Sequence, residues 1–164
     1  MIRKYFPAKN ESDFATLKSS YLQLFNSPEA LKYLSYMGKP FDEQVVINWL
    51  RNHVVDGVDY YISSEEPGKI DGIAVAKSSP ATGFELIALV VQENRRRKGL
   101  GKKLVAHVVD AARHEGFRAV DVTVFADNRP MLLLVIGLGF LPVRMTARMR
   151  HDGMDVVHLK RYLE

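Results

Sequence analysis

The stretch VVQENRRRKGLGKKLVAHVV, Val90 to Val109, decides how the rest of the chain is read. Six cations, Arg95, Arg96, Arg97, Lys98, Lys102 and Lys103, fall within nine residues around Gly99-Leu100-Gly101. Like charges this close repel, so an anion facing them is a physical reason to hold them together. Behind the loop, Leu104, Val105, Val108, Val109 and Ala112 form a helical stripe that closes at Gly116. In front of it, Phe84 to Val91 reads as a strand. The stretch is a strand, a basic glycine loop and the start of a helix.

Three phosphate-loop patterns compete for it. A P-loop needs Ser or Thr after Gly-Lys, but Gly101-Lys102 is followed by Lys103, and no glycine stands five residues earlier. A dinucleotide fingerprint needs a third glycine where Leu104 stands; Asp121, twenty residues past Gly101, does not replace it. The third pattern, Arg/Gln-x-x-Gly-x-Gly/Ala, matches as Arg96-Arg97-Lys98-Gly99-Leu100-Gly101. Its physics suits a pyrophosphate: glycine lets backbone approach, and the helix N-terminus offers unpaired N–H groups and positive potential. The bland alternative is a solvated basic turn.

Working outward, Ile2 to Phe6 reads as a short strand. Asn10 or Ser12 caps a helix over Asp13 to Phe25, Ser27-Pro28 opens a second reaching Gly38, and Phe41 to His53 is a third. Strands follow at Asp59 to Ser64, Ile70 to Lys77 and Phe84 to Val91, joined by Pro/Gly turns. After the basic loop and its helix come a strand over Val120 to Phe125 and a short apolar helix over Pro130 to Leu138. The tail, Leu141 to Arg150 and Met154 to Tyr162, is a hairpin about Asp152-Gly153. This order predicts one layered α/β domain over residues 1–164, a mixed sheet that starts antiparallel and has one strand–helix–strand crossover.

Two motifs in register give this order a family. The basic loop follows the strand ending at Val91; downstream come Asn128 and, eleven residues later, Gly139-Phe140. From about Ile70 to Phe140 the chain resembles the GNAT family of acyl-CoA-dependent N-acetyltransferases. The resemblance implies a GNAT-type fold of about seven strands with helices on both faces, and acetyl-CoA as co-substrate. Carried over by position, Arg96, Arg97, Lys98, Gly99, Leu100, Gly101 and Lys102 hold the pyrophosphate. Backbone at Leu89 and Val91, with Val90 between, pairs with the pantetheine arm, while Asn128 and Met131 lie along it. Arg95 and Lys103 are left to solvent or to the 3′-phosphate.

Glu85, eleven residues before Arg96, stands where many members keep a general base. An oxyanion would meet backbone N–H near Leu89 or Val90. Many members carry a tyrosine acid seven residues after the asparagine, where this chain has Val135, which has no proton to give. The form Asn128-Arg129-Pro130-Met131 resembles a branch that generally lacks that tyrosine. Tyr60 and Tyr61 are substitutes only if the fold brings them near.

Composition sets the outer bounds. The chain is 47% hydrophobic and 26% charged, with net charge +4. A mild excess concentrated in one loop favours a local anion site over a general nucleic-acid surface. Zero cysteines exclude disulfides, thiolate metal sites and an acyl-cysteine intermediate, so direct attack in a ternary complex is expected. No apolar run approaches the ~20 residues of a membrane span, and the first residues lack a signal-peptide core, so the cytoplasm is the default compartment.

His107, Asp110 and His114 share a helix face at metal-binding spacing, but that face lies opposite the apolar stripe, and no metal is expected. Aromatics in the first helices, among them Tyr21, Phe25, Tyr33, Tyr36 and Trp49, suit a core more than an acceptor pocket. His53, His151 and His158 belong to no pattern. The expected partner is an amine acceptor of unassigned identity, with neither nucleic acid nor membrane. Use of longer acyl-CoAs and the oligomeric state stay open, a homodimer included. The competing classes are an acyl-CoA-binding sensor without turnover and a basic nucleic-acid binder.

Overall fold

The computed structural model describes residues 1–52 and 56–164. The elements run β1 (Ile2–Tyr5), α1 (Glu11–Phe25), α2 (Pro28–Leu34), α3 (Glu43–Asn52), β2 (Val58–Ser63), β3 (Gly72–Ser79) and β4 (Gly83–Val91). They continue with α4 (Leu100–His114), β5 (Ala119–Phe125), α5 (Arg129–Gly137), β6 (Leu141–Thr146) and β7 (Val156–Tyr162). The seven strands form one sheet in the order β1-β2-β3-β4-β5-β7-β6, antiparallel except for the parallel pair β4–β5. The expected mixed sheet with a single crossover is what forms.

Capping sets the first two helices as the sequence implies. Asn10 Oδ1 accepts from Asp13 N at 3.0 Å, and Ser27 Oγ accepts from Ala30 N at 3.3 Å. Helices cover both faces because strand residues alternate. Ala74, Ala76, Phe84, Leu86, Val120 and Val122 pack under Leu104, Val105 and Val108 of α4. On the other face Tyr60, Ile62, Ile73 and Val75 pack under Leu17, Tyr21 and Phe25 of α1 and Val46 and Leu50 of α3. No helix of the described residues is long and apolar enough to cross a membrane.

Two expected boundaries move, and both moves shape the site. The second helix stops at Leu34 rather than near Gly38, because Ser35 turns extended. That frees Tyr36 to pack edge-on against Phe125, ring centroids 5.2 Å apart, while its carbonyl accepts from His151 N at 2.8 Å. The final hairpin is shorter than expected: β6 ends at Thr146, and Arg150 leaves the strand to become a buried ion-pairing group, 3% exposed. The predicted end of α3 at His53 lies outside the described residues.

Candidate active site

A bulge opens the sheet. Val75 is opposite Ala88 while Ala76 is opposite Leu86, so Ile87 is the extra residue on β4. The extra residue bends β4 away from β5, and their parallel pairing covers only Phe84–Leu86 against Val120–Val122. Beyond that point the strands diverge around a cleft of about 740 Å³, within the usual range for small-molecule sites. Its walls are Leu86 to Val91 and Val122 to Val124, and the first turns of α4 and α5 close it.

Register decides which backbone faces the cleft. Gln92 N donates to Asp71 O, and Ile73–Val90 is two residues along the same antiparallel ladder, so Val90 turns its N–H and C=O toward β3. Leu89 and Val91 then turn theirs toward the cleft. Val91 O accordingly accepts from Arg96 Nε at 3.0 Å instead of from a strand. This corrects one sequence expectation: Val90 N–H belongs to the sheet, and Leu89 N–H is the donor available for an oxyanion.

The basic loop brings unpaired backbone donors and cations to one end of the cleft. Gly99 is left-handed at φ 78° and caps α4 without a side-chain bond. The first α4 turn, with no acidic residue, therefore leaves its N–H groups without intrahelical acceptors. Arg97 also has a positive φ of 58°, an uncommon state for a non-glycine residue that folds the loop back on itself. All the predicted cofactor residues line the cleft except Lys98, which is exposed. Asn128 Oδ1 accepts from Met131 N at 3.3 Å and so caps α5, leaving only its Nδ2 to face a ligand.

Two cations are engaged in ways the sequence does not reveal. Arg96 forms an ion pair with Glu29 at the start of α2. Arg95 does not line the cleft: it pairs with Glu65 at 2.7 Å and Asp71 at 2.9 Å, tying the loop to the β2–β3 connection. The residue at the tyrosine position, Val135, is fully buried in the core beside α4 and is not part of the cleft wall. Tyr60 and Tyr61 do not replace a tyrosine there, since both are buried on β2, two strands from β4.

Glu85 lies on the sheet face away from α4. It is opposite Lys77 on β3 and opposite Asp121 on β5, and Asp121 in turn pairs with Lys160 at 3.3 Å. Burial, then the Asp121 charge, raise the Glu85 pKa, with Lys77 opposing. The Tyr36 phenol is raised as well, by burial and by Glu85. Glu85 is not in the cleft wall; it stands on β4 two residues before the bulge at Ile87.

Arg150 ties together three segments near the cleft. Its guanidinium donates to both Asp127 oxygens at 3.1 and 2.7 Å, to both Asp152 oxygens at 2.9 Å, and to Lys32 O at 3.0 Å. It thereby fastens α2, the turn before Asn128 and the β6–β7 connection to one point. Arg150→Met is expected to lower unfolding free energy by about 3 kcal/mol in chemical denaturation. That is the low end for a broken buried pair, because both carboxylates keep some contact with water. Unchanged stability would show that the clamp does not hold these segments. The Arg150 guanidinium lowers the Asp127 pKa and holds Asp152 at about 2. The clamp's contribution is therefore complete above the ordinary aspartate pKa of about 4 and drains as pH falls toward 2. Arg150→Met should remove that part of the acid sensitivity, read from melting temperatures across this range.

A splayed parallel strand pair, a basic glycine loop and a helix N-terminus facing one cleft define an acyl-CoA site. The profile of the acetyltransferase (GNAT) family matches residues 21–140, and the chain belongs to that family. It is an acetyl-CoA-dependent acetyltransferase. Solved structures share the fold across the whole chain. A ribosomal-protein-alanine N-acetyltransferase from Brucella melitensis superposes with a TM-score of 0.77 at 20% identity, covering 99% of each chain. An N-acetyltransferase from Staphylococcus aureus Mu50 gives 0.79 at 18%, covering 100% of this chain and 98% of that one. An acetyltransferase structure from Salmonella typhimurium with its cofactor acetyl-CoA gives 0.77 at 19%, covering 100% and 94%. A comparison with curated protein sequences returned no match.

Proposed function

We propose that the protein transfers acetyl from acetyl-CoA to a primary amine by direct attack in a ternary complex, with Glu85 as the base. The observation that carries this reading is Glu85 itself. It is a half-buried carboxylate with a raised pKa, on the strand whose bulge opens the cleft, facing the side opposite α4. An alkyl amine of pKa about 10.4 is neutral in only a few parts in ten thousand near pH 7, so a proton acceptor is needed before attack.

Acetyl-CoA supplies the activated acetyl group as a thioester. The chain supplies the rest. Leu89 and Val91 offer backbone to the pantetheine arm, Leu89 N–H faces the developing oxyanion, and the first turn of α4 with Arg96, Arg97 and Lys102 receives the pyrophosphate. The acceptor classes that fit are a protein N-terminus, a protein lysine, a polyamine, an aminoglycoside or an amino acid. The Brucella relative's name adds support for a terminal alanine as one of the first to try.

The test is calorimetry with acetyl-CoA, followed by acetylation of a lysine peptide, a peptide with a free N-terminal alanine, and spermidine. Micromolar binding with turnover on one of them is the expected result. Binding without turnover on any amine would favour an acyl-CoA sensor, and no binding would remove the cofactor site.

A further inference from the structure

We propose that Thr123 and His158 form a proton exit from the cleft, Thr123 Oγ1 taking a proton from the acceptor nitrogen as its own proton passes to His158. This rests on the amine-acetyltransferase reading and adds positioning and transfer residues to it. Thr123 on β5 lines the cleft beside the bulge. His158 is its cross-strand partner on β7, with Nδ1 3.4 Å from Thr123 Oγ1. On its outer side His158 Nε2 lies 2.8 Å from Thr146 Oγ1 on β6. A line of three polar side chains thus runs from the cleft wall to the edge strand.

The direction of the hydrogen bonds follows from the partners. Arg144 Nη2 approaches His158 Nδ1 at 3.5 Å, and a guanidinium can only donate. Nδ1 is therefore the nitrogen with the lone pair, and Nε2–H donates to Thr146. The one lone pair of Nδ1 is shared by two long contacts, the Thr123 hydroxyl at 3.4 Å and Arg144 at 3.5 Å, and the Thr123 oxygen presents its own lone pairs to the cleft, where an N–H of the acceptor can bond. The charged groups around His158 are Arg144 on β6, Asp121 on β5 and Lys160 on β7 itself. Burial, then Arg144, hold the imidazole pKa below its ordinary value, with Asp121 opposing. His158 is neutral near pH 7 and able to accept.

The proton count closes. The new N–C bond forms, the C–S bond breaks, and its electron pair leaves on sulfur, which takes a proton from water. The nitrogen of an ammonium acceptor loses two protons on becoming an amide. Glu85 takes the first before attack. The second passes to Thr123 Oγ1 while the Thr123 proton moves to His158 Nδ1. The imidazolium, eased by Asp121, then discharges Nε2–H through Thr146 to solvent; this leaves the ring as Nδ1–H with Arg144 displaced, and proton exchange with water returns it to the Nε2–H form before the next turnover.

The experiment combines kinetics on the three amine probes named above with nitrogen-15 NMR of the His158 ring. Thr123→Val, which keeps shape and removes the hydroxyl, is expected to lower kcat about 10²-fold with KM for acetyl-CoA little changed. Thr123→Ser should restore it. His158→Gln should remove the part of the acidic limb of kcat that belongs to an imidazole, leaving the Glu85 limb. The ring should titrate below 6.5 as the Nε2–H tautomer. Wild-type kcat in Thr123→Val, or an Nδ1–H tautomer, overturns the relay while Glu85→Gln still reports on the base. Wild-type protein that binds acetyl-CoA but acetylates none of the probes overturns the amine reading and the relay together.

Discussion

Glu85→Gln is expected to lower kcat by about 10²- to 10⁴-fold while leaving acetyl-CoA affinity unchanged. The separation follows from position, since Glu85 stands outside the cleft walls and touches none of the cofactor loop. The pH dependence follows from its neighbours. Only the carboxylate form accepts a proton, so kcat/KM should rise with pH through a pKa lying above the ordinary 4.5. Asp121→Asn, by removing a like charge, should move that limb to lower pH; Lys77→Ala, by removing an opposite one, should move it to higher pH. Stability provides an independent check. A carboxyl whose pKa is raised by folding is disfavoured in its ionised form by the folded state, so at neutral pH Glu85→Gln should hold or raise the melting temperature. Lost activity in a protein that is no less stable marks a group retained for chemistry. A wild-type rate in Glu85→Gln would remove Glu85 as the base.

Arg96→Ala combined with Gly99→Ala is expected to weaken acetyl-CoA binding by about 10²- to 10³-fold in calorimetry. Gly99 contributes through its backbone. A Cβ there would meet nothing within 4 Å among the described residues, but a left-handed conformation costs a non-glycine residue about 1–2 kcal/mol. That strain would disturb the turn that points the first N–H groups of α4 at the ligand. Arg96 contributes charge-assisted bonds to phosphate, each about 1.5–3 kcal/mol. Part of that gain is offset by Glu29, which already pairs with Arg96 and would lie near the phosphates. Because the pair is partly exposed, it is worth at most about 1 kcal/mol, so Glu29→Gln should tighten acetyl-CoA by no more than about fivefold. Unchanged affinity in the double variant would mean that Arg96, Arg97 and Lys102 face some other anion.

The readings that come easily from sequence are those written in neighbouring residues. The α4 stripe, the Asn10 and Ser27 caps, the Gly99 turn and the Asn128–Pro130 helix start are all settled within a turn of chain. The cofactor side of the site consists of such segments, and so most of its residues are legible in the chain. The acceptor side is built otherwise. His158 matches no pattern because its role comes from Thr123, thirty-five positions away, and from Arg144 and Thr146 on a third strand. Arg150 reads as an ordinary strand residue because its value lies in Asp127 and Lys32 O, 118 positions away in the second case. Arg95 reads as one more cation of the loop, although Asp71 and Glu65 draw it off.

By itself, then, the sequence determined the order of strands and helices, the glycine turn that opens α4 and the family, since hydrophobic period, caps and glycine turns act over a few residues. Tertiary structure alone decided that Ile87 is a bulge, that Leu89 rather than Val90 turns its N–H to the cleft, and which side chains meet on the open face. Those outcomes depend on strand register, and a shift of one residue in register sends every side chain to the opposite face.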